Sequence, residues 1–430
     1  MVALLYCVKI GEWICQIAVK WLYLWRLKHE MMKKILIVLL LAAAAVTGYA
    51  AGRDNYTIVV SLDGLRWDYT EAFDVPFFDQ LAREGVKAVM MPSFPSKTFP
   101  NHYTLATGLY PDHHGIVANT FKVRRSGKVF SLGNDEMRND PQYFGGDPIW
   151  LTAKRQGVKT ATVYWVGSDV AIKGEYADYW HHYQHNRLTM SERVDEVVRL
   201  LQLPEEERPH LIMAYFEEPD ASGHNYGPIS AHTRKAMEQM DSTLNEMWNR
   251  IQQLPIAPDV NLIVLGDHGM TWVDPERMIY PHEYLKTEWV DRITNDFPAL
   301  IYANRHDYVD SIYNALQRVD HLRVWKRRDV PEYLHYGSNP NVGDVVVLPD
   351  VGWVFADRKW KAGGTHGYDH TASDMLVAFR AVGPDFKRGY VKEAKFRNVD
   401  IYPLLAYLLG VKPTDNDGDI TEVMDMLLLK

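Results

Sequence analysis

The sequence predicts an α/β fold: a mostly parallel sheet with helices on both faces, plus a smaller inserted lobe. Three observations carry this reading. Tyr56–Leu62, Lys159–Val166, His210–Phe216 and Val260–Leu265 are short, largely apolar runs, which marks strands buried on both faces. Segments with helical spacing lie between them, and strands alternating with helices build βαβ units. Three of the four runs lead straight into acidic turns: Asp63-Gly64, Glu217-Glu218-Pro219-Asp220 and Gly266-Asp267-His268-Gly269. In open α/β sheets that carboxyl edge is where ligands bind.

Taken in order, the chain opens with a segment unlike the rest. Met31–Gly52 has a positive start at Lys33-Lys34, an apolar run over Ile35–Val46 and small residues over Thr47–Ala51. This is the pattern of a secretory signal peptide, and the run is short for a membrane span. The expectation is therefore an upstream extension at 1–30, translation starting at Met31 or Met32, a signal peptide at 31–51 and an exported domain at 52–430. An uncleaved anchor is the weaker reading. The only cysteines, Cys7 and Cys15, fall in the extension, so the exported part has no disulfide framework and no thiolate metal site. The first fifty residues carry six Lys/Arg and two Asp/Glu in a chain of formal net charge −8. The exported part is thus more acidic than the whole, which argues against non-specific nucleic-acid binding.

Within the exported part, helices are expected over Pro76–Glu84, Pro148–Gln156, Met190–Leu203, Ala231–Leu254 and Val399–Leu409. Gly85 and Gly157 stop the first two. The pattern from about 270 to 363 is less regular, with strands at Pro298–Tyr302, Leu322–Lys326 and Asp344–Leu348 and a helix at Tyr308–Val319. This is the expected inserted lobe. The core sheet resumes at Met375–Ala381.

The stretch Ser93–Asn119, SFPSKTFPNHYTLATGLYPDHHGIVAN, holds Thr98 in an unusual setting. Pro95 biases Phe94 away from the helical region. Pro100 suits a first helical turn, and Gly108 closes a short helix. Thr98 therefore sits at or just before a helix N-terminus, where free N–H groups and the dipole favour an alkoxide or a phosphate. A plain N-cap role is the competing reading. Asp63, Asp220 and Asp267 at one sheet edge would repel each other without cations among them. His224 lies four residues after Asp220 in EPDASGHNYG, His268 adjoins Asp267, and His366 lies in GGTHGYDH. Carboxylate with imidazole suits zinc or another borderline metal better than calcium.

The motifs SLDGLR, PSKTFPNHYTLATGLYPDHHGI, EEPDASGHNYGP, GDHGM and THGYDH, in that order, resemble the nucleotide pyrophosphatase/phosphodiesterase family of the alkaline phosphatase superfamily. The resemblance spans about Thr57 to Leu409. It implies an alkaline-phosphatase-like core and two zinc ions, one held by Asp63, Thr98, Asp267 and His268, the other by Asp220, His224 and His366. It implies Thr98 as nucleophile through a threonyl-phosphoryl intermediate, Asn119 as a donor to a phosphate oxygen, and Phe99 stacking on a nucleobase with Tyr183 as its partner. Nucleotides or other small phosphodiesters are the implied substrates, and no specific nucleic-acid or protein partner is predicted. His370 stands where this motif leads one to expect Asn and receives no role.

Three other readings compete. A phosphomonoesterase on the same fold would need a Lys and an Arg to grip the extra charge, and Tyr164–Asp169 offers no such pair. A sulfatase needs a modified Cys or Ser in a Cys/Ser-x-Pro-x-Arg setting, of which Ser93–Lys97 is only a loose echo. A binding protein without activity is disfavoured because the nucleophile and every ligand type are present.

Overall fold

The computed structural model describes residues 55–183 and 187–428, so the expected extension and signal peptide lie outside the described residues. Residues 52–430 form one compact unit. The strands that matter here are, in chain order, β1 (Tyr56–Leu62), β2 (Val86–Met91), β3 (Thr160–Val163), β4 (Tyr179–Trp180), β5 (Leu211–Phe216), β6 (Val260–Leu265), β7 (Val290–Ile293), β8 (Ala299–Ala303), β9 (Leu322–Lys326), β10 (Val345–Pro349), β11 (Val377–Val382), β12 (Tyr390–Val391) and β13 (Phe396–Arg397). The helices are α1 (Pro76–Glu84), α2 (Thr98–Thr107), α3 (Ile149–Lys154), α4 (Met190–Leu201), α5 (Asp220–Tyr226), α6 (Ala231–Ile251), α7 (Tyr308–Leu316) and α8 (Ile401–Leu408).

The main sheet runs β12-β2-β11-β6-β1-β5-β3-β4, with β13 also on β2. Its centre, β6-β1-β5-β3, is parallel, and β11 is antiparallel to both β6 and β2. Every residue of β1 is buried, as its continuous apolarity requires. Ile58, Val60 and Leu62 face one layer with Phe78 of α1, Val197 of α4 and Met240 of α6. Val59 faces the other layer with Tyr103 of α2, Trp150 of α3 and Leu404 of α8. Helices therefore cover both faces. Amphipathic α4 shows why: its capping box (Thr189 with Glu192) starts the helix, and its buried Val194, Val197, Val198, Leu200 and Leu201 are each worth about 1.5–3 kcal/mol of apolar burial.

β2 is absent from the sequence reading. It follows α1 after one residue, and its burial alternates rather than running continuously. Gly85 makes that joint possible: a Cβ there would lie 2.0 Å from the Ala381 carbonyl oxygen. The short elements β4, β7, β12, β13 and α5 are likewise absent from the sequence reading; the remaining differences are at element ends, such as α8 beginning at Ile401 after a 3₁₀ turn at Asn398–Asp400, the least well-determined feature of any element. A second sheet, β7-β8-β10-β9, is wholly antiparallel. It packs Ile301, Val345 and Val347 against Ile312 and Leu316 of α7. Among the described residues, no helix is long and apolar enough to cross a membrane.

Candidate active site

β6, β1 and β5 are neighbours, so the chain leaves three adjacent parallel strands at one edge and delivers Asp267, Asp63 and Asp220 there. The turn after β1 needs Gly64, which is left-handed at φ 68° and has the Asp220 Cβ only 3.0 Å from where its own would be. The Gly64 N–H donates to Asp267 Oδ1 at 3.0 Å. The Asp220 N–H donates to the Asp63 carbonyl at 3.0 Å. Tyr215 donates its hydroxyl to Asp63 Oδ2 at 2.7 Å.

The carboxylates and imidazoles fall into two groups. Asp63, Asp267 and His268 form one, and Asp220, His224 and His366 the other, with the ligand atoms of each within 4.8 Å of one another. Each histidine is oriented the same way. Nδ1 of His268 faces the Gly269 carbonyl, Nδ1 of His224 the Gly364 carbonyl and Nδ1 of His366 the Ser96 carbonyl, each at 2.8 Å. A carbonyl can only accept, so Nδ1 carries the proton and the Nε2 lone pair turns inward. His268 Nε2 lies 3.3 Å from Asp63 Oδ1 and 3.1 Å from Asp267 Oδ2. His224 Nε2 lies 3.4 Å from Asp220 Oδ1 and 3.1 Å from His366 Nε2.

Lone pairs thus face lone pairs, and Asp63 Oδ1, Asp220 Oδ1 and Asp267 Oδ2 are buried without a hydrogen-bond donor. Burial, then Asp267, pushes the Asp63 carboxyl well above its usual range. Burial pushes Asp267 up as well, and Asp220 to about 6. Burial holds His268 and His366 low, hence neutral. Neutral imidazoles, orphaned carboxylate oxygens and a deficit of positive charge fit a cation in each group.

Thr98 is the first residue of α2, and Lys97 takes the cap position in extended conformation without a side-chain cap bond. The Thr98 hydroxyl is therefore spared from capping, and it lies 3.2 Å from His268 Nε2. Asn101 holds the preceding loop by donating to the Pro95 and Lys97 carbonyls and accepting from the Ser93 N–H. Ser96 ties this loop to the His366 loop: its hydroxyl donates to the Tyr368 carbonyl and accepts the Gly367 N–H. Asn119 accepts the Phe99 N–H at 3.1 Å, which brings its amide to the start of α2.

A cavity of about 310 Å³ opens here, lined by Asp63, Thr98 and Asp220, by Phe99 and Tyr183, and by Leu132, Arg138, Tyr164, Trp165, Asp169 and Tyr215 among others. Thr98 and Phe99 share its wall with Tyr183, which is distant from them in sequence. His370 does not line it; it is buried beside Asp369 and stacks at 6.1 Å on Tyr333.

Several site residues escaped the sequence reading. Arg138 places a buried cation in the cavity wall, donating to the Leu132 carbonyl and 3.1 Å from Asp135, outside the Tyr164–Asp169 stretch where a basic pair was sought. Lys97 is buried beside the nucleophile candidate and pairs with Asp296 at 2.6 Å. His102, four residues after Thr98, bridges the Thr98 carbonyl and the Ser61 hydroxyl at 2.9 Å each; its i, i+4 spacing was the one legible signal.

The type I phosphodiesterase/nucleotide pyrophosphatase family model matches residues 57–369. The chain is 33% identical over 378 residues to ectonucleotide pyrophosphatase/phosphodiesterase family member 1 of Homo sapiens, covering 84% of this chain and 40% of that protein. It is 36% identical over 377 residues to a venom phosphodiesterase of Crotalus durissus collilineatus, covering 84% of this chain and 45% of that one. The chain thus spans less than half the length of these curated relatives. Among solved structures, murine ectonucleotide pyrophosphatase/phosphodiesterase 5 superposes with a TM-score of 0.82 at 32% identity, covering 87% of this chain and 100% of that one. An inactive threonine-to-alanine variant of the same murine protein, in complex with AMP, superposes with a TM-score of 0.83 at 32% identity over the same shares of the two chains. On sequence and fold together, the chain belongs to the type I phosphodiesterase/nucleotide pyrophosphatase family.

Proposed function

We propose that this protein is an exported hydrolase of nucleotide phosphodiester and pyrophosphate bonds, with Thr98 as nucleophile and two zinc ions in the paired carboxylate–imidazole groups. One observation carries the reading: a threonine hydroxyl spared from capping at a helix N-terminus touches His268 of one orphaned ligand group and shares a cavity with Asp220 of the other, walled by Phe99 and Tyr183. The names of the relatives, and AMP in the murine neighbour, support the substrate class.

Asp63, Asp267, His268 and Thr98 would hold one zinc ion, and Asp220, His224 and His366 the other. Zinc held there would offset the charge of the carboxylates and of the phosphoryl oxygens and would lower the proton affinity of the Thr98 hydroxyl. Thr98 Oγ1 attacks phosphorus in line, and the bond to the leaving alcohol or phosphate breaks as the threonyl-phosphoryl bond forms. Water then cleaves that bond, returning the hydroxyl and releasing the nucleotide. The N-terminus of α2 and the Asn119 amide supply donors for phosphate oxygens. Phe99 and Tyr183 hold the nucleobase.

The phosphomonoesterase alternative gains one observation, Arg138 in the cavity wall. The test is kcat/KM for thymidine 5′-(p-nitrophenyl phosphate), methyl p-nitrophenyl phosphate and p-nitrophenyl phosphate. The nucleotide diester is expected to lead. Phe99→Ala should lower its kcat/KM by about three- to tenfold, the scale of one aromatic stack, with the methyl ester nearly unchanged. Preference for the monoester would move the protein to the alternative.

A further inference from the structure

We infer that Glu217 is a positioning residue for the nucleoside slot, fixing Tyr183 in the cavity wall and so setting the preference for substrates that carry a flat ring. This rests on the nucleotide reading above and deepens it.

Tyr183 belongs to no helix or strand, so backbone pairing does not fix its ring. Side chains must do so, and they converge on one carboxylate. Glu217 immediately follows β5 and is not among the grouped metal-ligand candidates. Arg193 of α4 grips it with a two-pronged fork, Nη1 to Oε2 at 2.8 Å and Nη2 to Oε1 at 2.9 Å. A fork of this kind fixes orientation as well as charge.

Arg193 is itself immobilised. Its side chain is 2% exposed, it donates to the Leu188 and Tyr215 carbonyls, and its guanidinium lies over the Tyr164 and Phe216 rings at 4.9 and 5.4 Å. Burial favours a neutral Glu217, but the Arg193 bonds and charge prevail and hold its carboxyl below the usual range.

On this anchored carboxylate the Tyr183 hydroxyl finds its acceptor, Oε1, at 3.4 Å. Arg187 also pairs with Oε1 and places its guanidinium 5.9 Å from the Tyr183 ring. The Tyr183 N–H donates to Asp169 at 3.3 Å, and its ring meets Tyr164 edge-on at 5.3 Å. Hydroxyl, ring face and ring edge are thus each held by a group that Glu217 or Arg193 touches. A purely structural role, closing β5 onto α4, would use the Arg193 fork but not the Tyr183 and Arg187 contacts.

The test uses two substrates with one leaving group, thymidine 5′-(p-nitrophenyl phosphate) and methyl p-nitrophenyl phosphate. Glu217→Gln is expected to raise KM for the nucleotide ester about three- to tenfold, the scale of one aromatic contact, with kcat little changed. The methyl ester reports on the phosphoryl-transfer centre and should hold its kcat/KM. In a Tyr183→Ala background, Glu217→Gln should add nothing further, because the group it positions is gone. Arg187→Ala, at a side chain 61% exposed, should shift the nucleotide KM in the same direction by less.

Equal losses on both esters, or effects of Glu217→Gln and Tyr183→Ala that simply add, would overturn the inference. If Glu217→Gln does not fold, the Arg187→Ala/Tyr183→Ala cycle decides in the same way. Failure of the nucleotide reading looks different: the wild-type protein itself would not distinguish the two esters.

Discussion

Thr98 shows how much one residue's place in a helix decides. As an N-cap its hydroxyl would be spent on a backbone N–H; as the first helical residue, behind an extended Lys97, it faces His268 instead. Thr98→Ala is therefore expected to keep the fold and most of the metal while losing at least about a thousandfold in kcat, since the covalent route is gone. Thr98→Ser should retain part of the activity. A Thr98→Ala protein within about tenfold of wild type, a barrier change of only about 1.4 kcal/mol, would exclude it as nucleophile. The ligand groups make a separate expectation: about two zinc ions per chain by elemental analysis, with Asp267→Ala depleting mainly one and His366→Ala the other. Full activity after exhaustive chelation would sink the metal reading. These residues were legible because the three aspartates lie in the acidic turns that follow buried strands. Arg138 and Lys97 were not, because what places them is a fold-level contact with no local signature; Glu217 stands in the same turn as Asp220, but its contact with Tyr183 has no signal in the sequence.

At the scale of elements, the long buried strands and helices were read to within about three residues at their ends. β1 and α1 match their expected bounds, because continuous apolarity and a Pro-to-Gly frame are strong local signals. β2 was missed because its half-buried alternation carries Lys87 between apolar residues. No element was expected over α5, where Pro219 and Gly223 interrupt any helical pattern, yet this helix sets Asp220 and His224 on one face. The turn from β1 to the site makes a sharper claim. Gly64 and Gly157 are both left-handed, at φ 68° and 83°. Alanine at either should cost about 1–2 kcal/mol in backbone strain. Only at Gly64 does the new Cβ meet Asp220; at Gly157 it meets nothing within 4 Å. Gly64→Ala should thus lower the urea midpoint and also weaken metal retention, whereas Gly157→Ala should lower the midpoint alone. Equal metal content in the two variants would show that the turn does not position Asp220.

For the whole molecule, folding encloses histidines that remain neutral, and this ties stability to pH. His114 is fully buried. Its Nε2 faces the Pro100 carbonyl and the Thr104 hydroxyl at 3.1 Å each, while Nδ1 accepts the Ile116 N–H at 3.2 Å. A second proton would have to sit on Nδ1, against that N–H. Burial accordingly lowers its pKa from 6.5 to about 3. Above 6.5 neither the folded nor the unfolded chain protonates this ring, and its effect on stability is nil. As pH falls from 6.5 towards 3 the unfolded chain takes up a proton that the folded chain refuses, so stability drops by about 1.4 kcal/mol per pH unit. His370, lowered to about 4 by burial, acts with the same sign. Acid would also weaken metal binding by the carboxylate–imidazole groups, so the raw pH profile mixes several contributions. A paired comparison separates them. His114→Gln keeps an N–H for Pro100 and an oxygen for Ile116 but cannot titrate. Between pH 6.5 and 5, wild type is expected to lose about 2 kcal/mol more than His114→Gln, measured as urea midpoints on the same metal-loaded preparation. Parallel profiles would mean that His114 is protonated in the folded protein, and that its contacts rearrange to admit the charge.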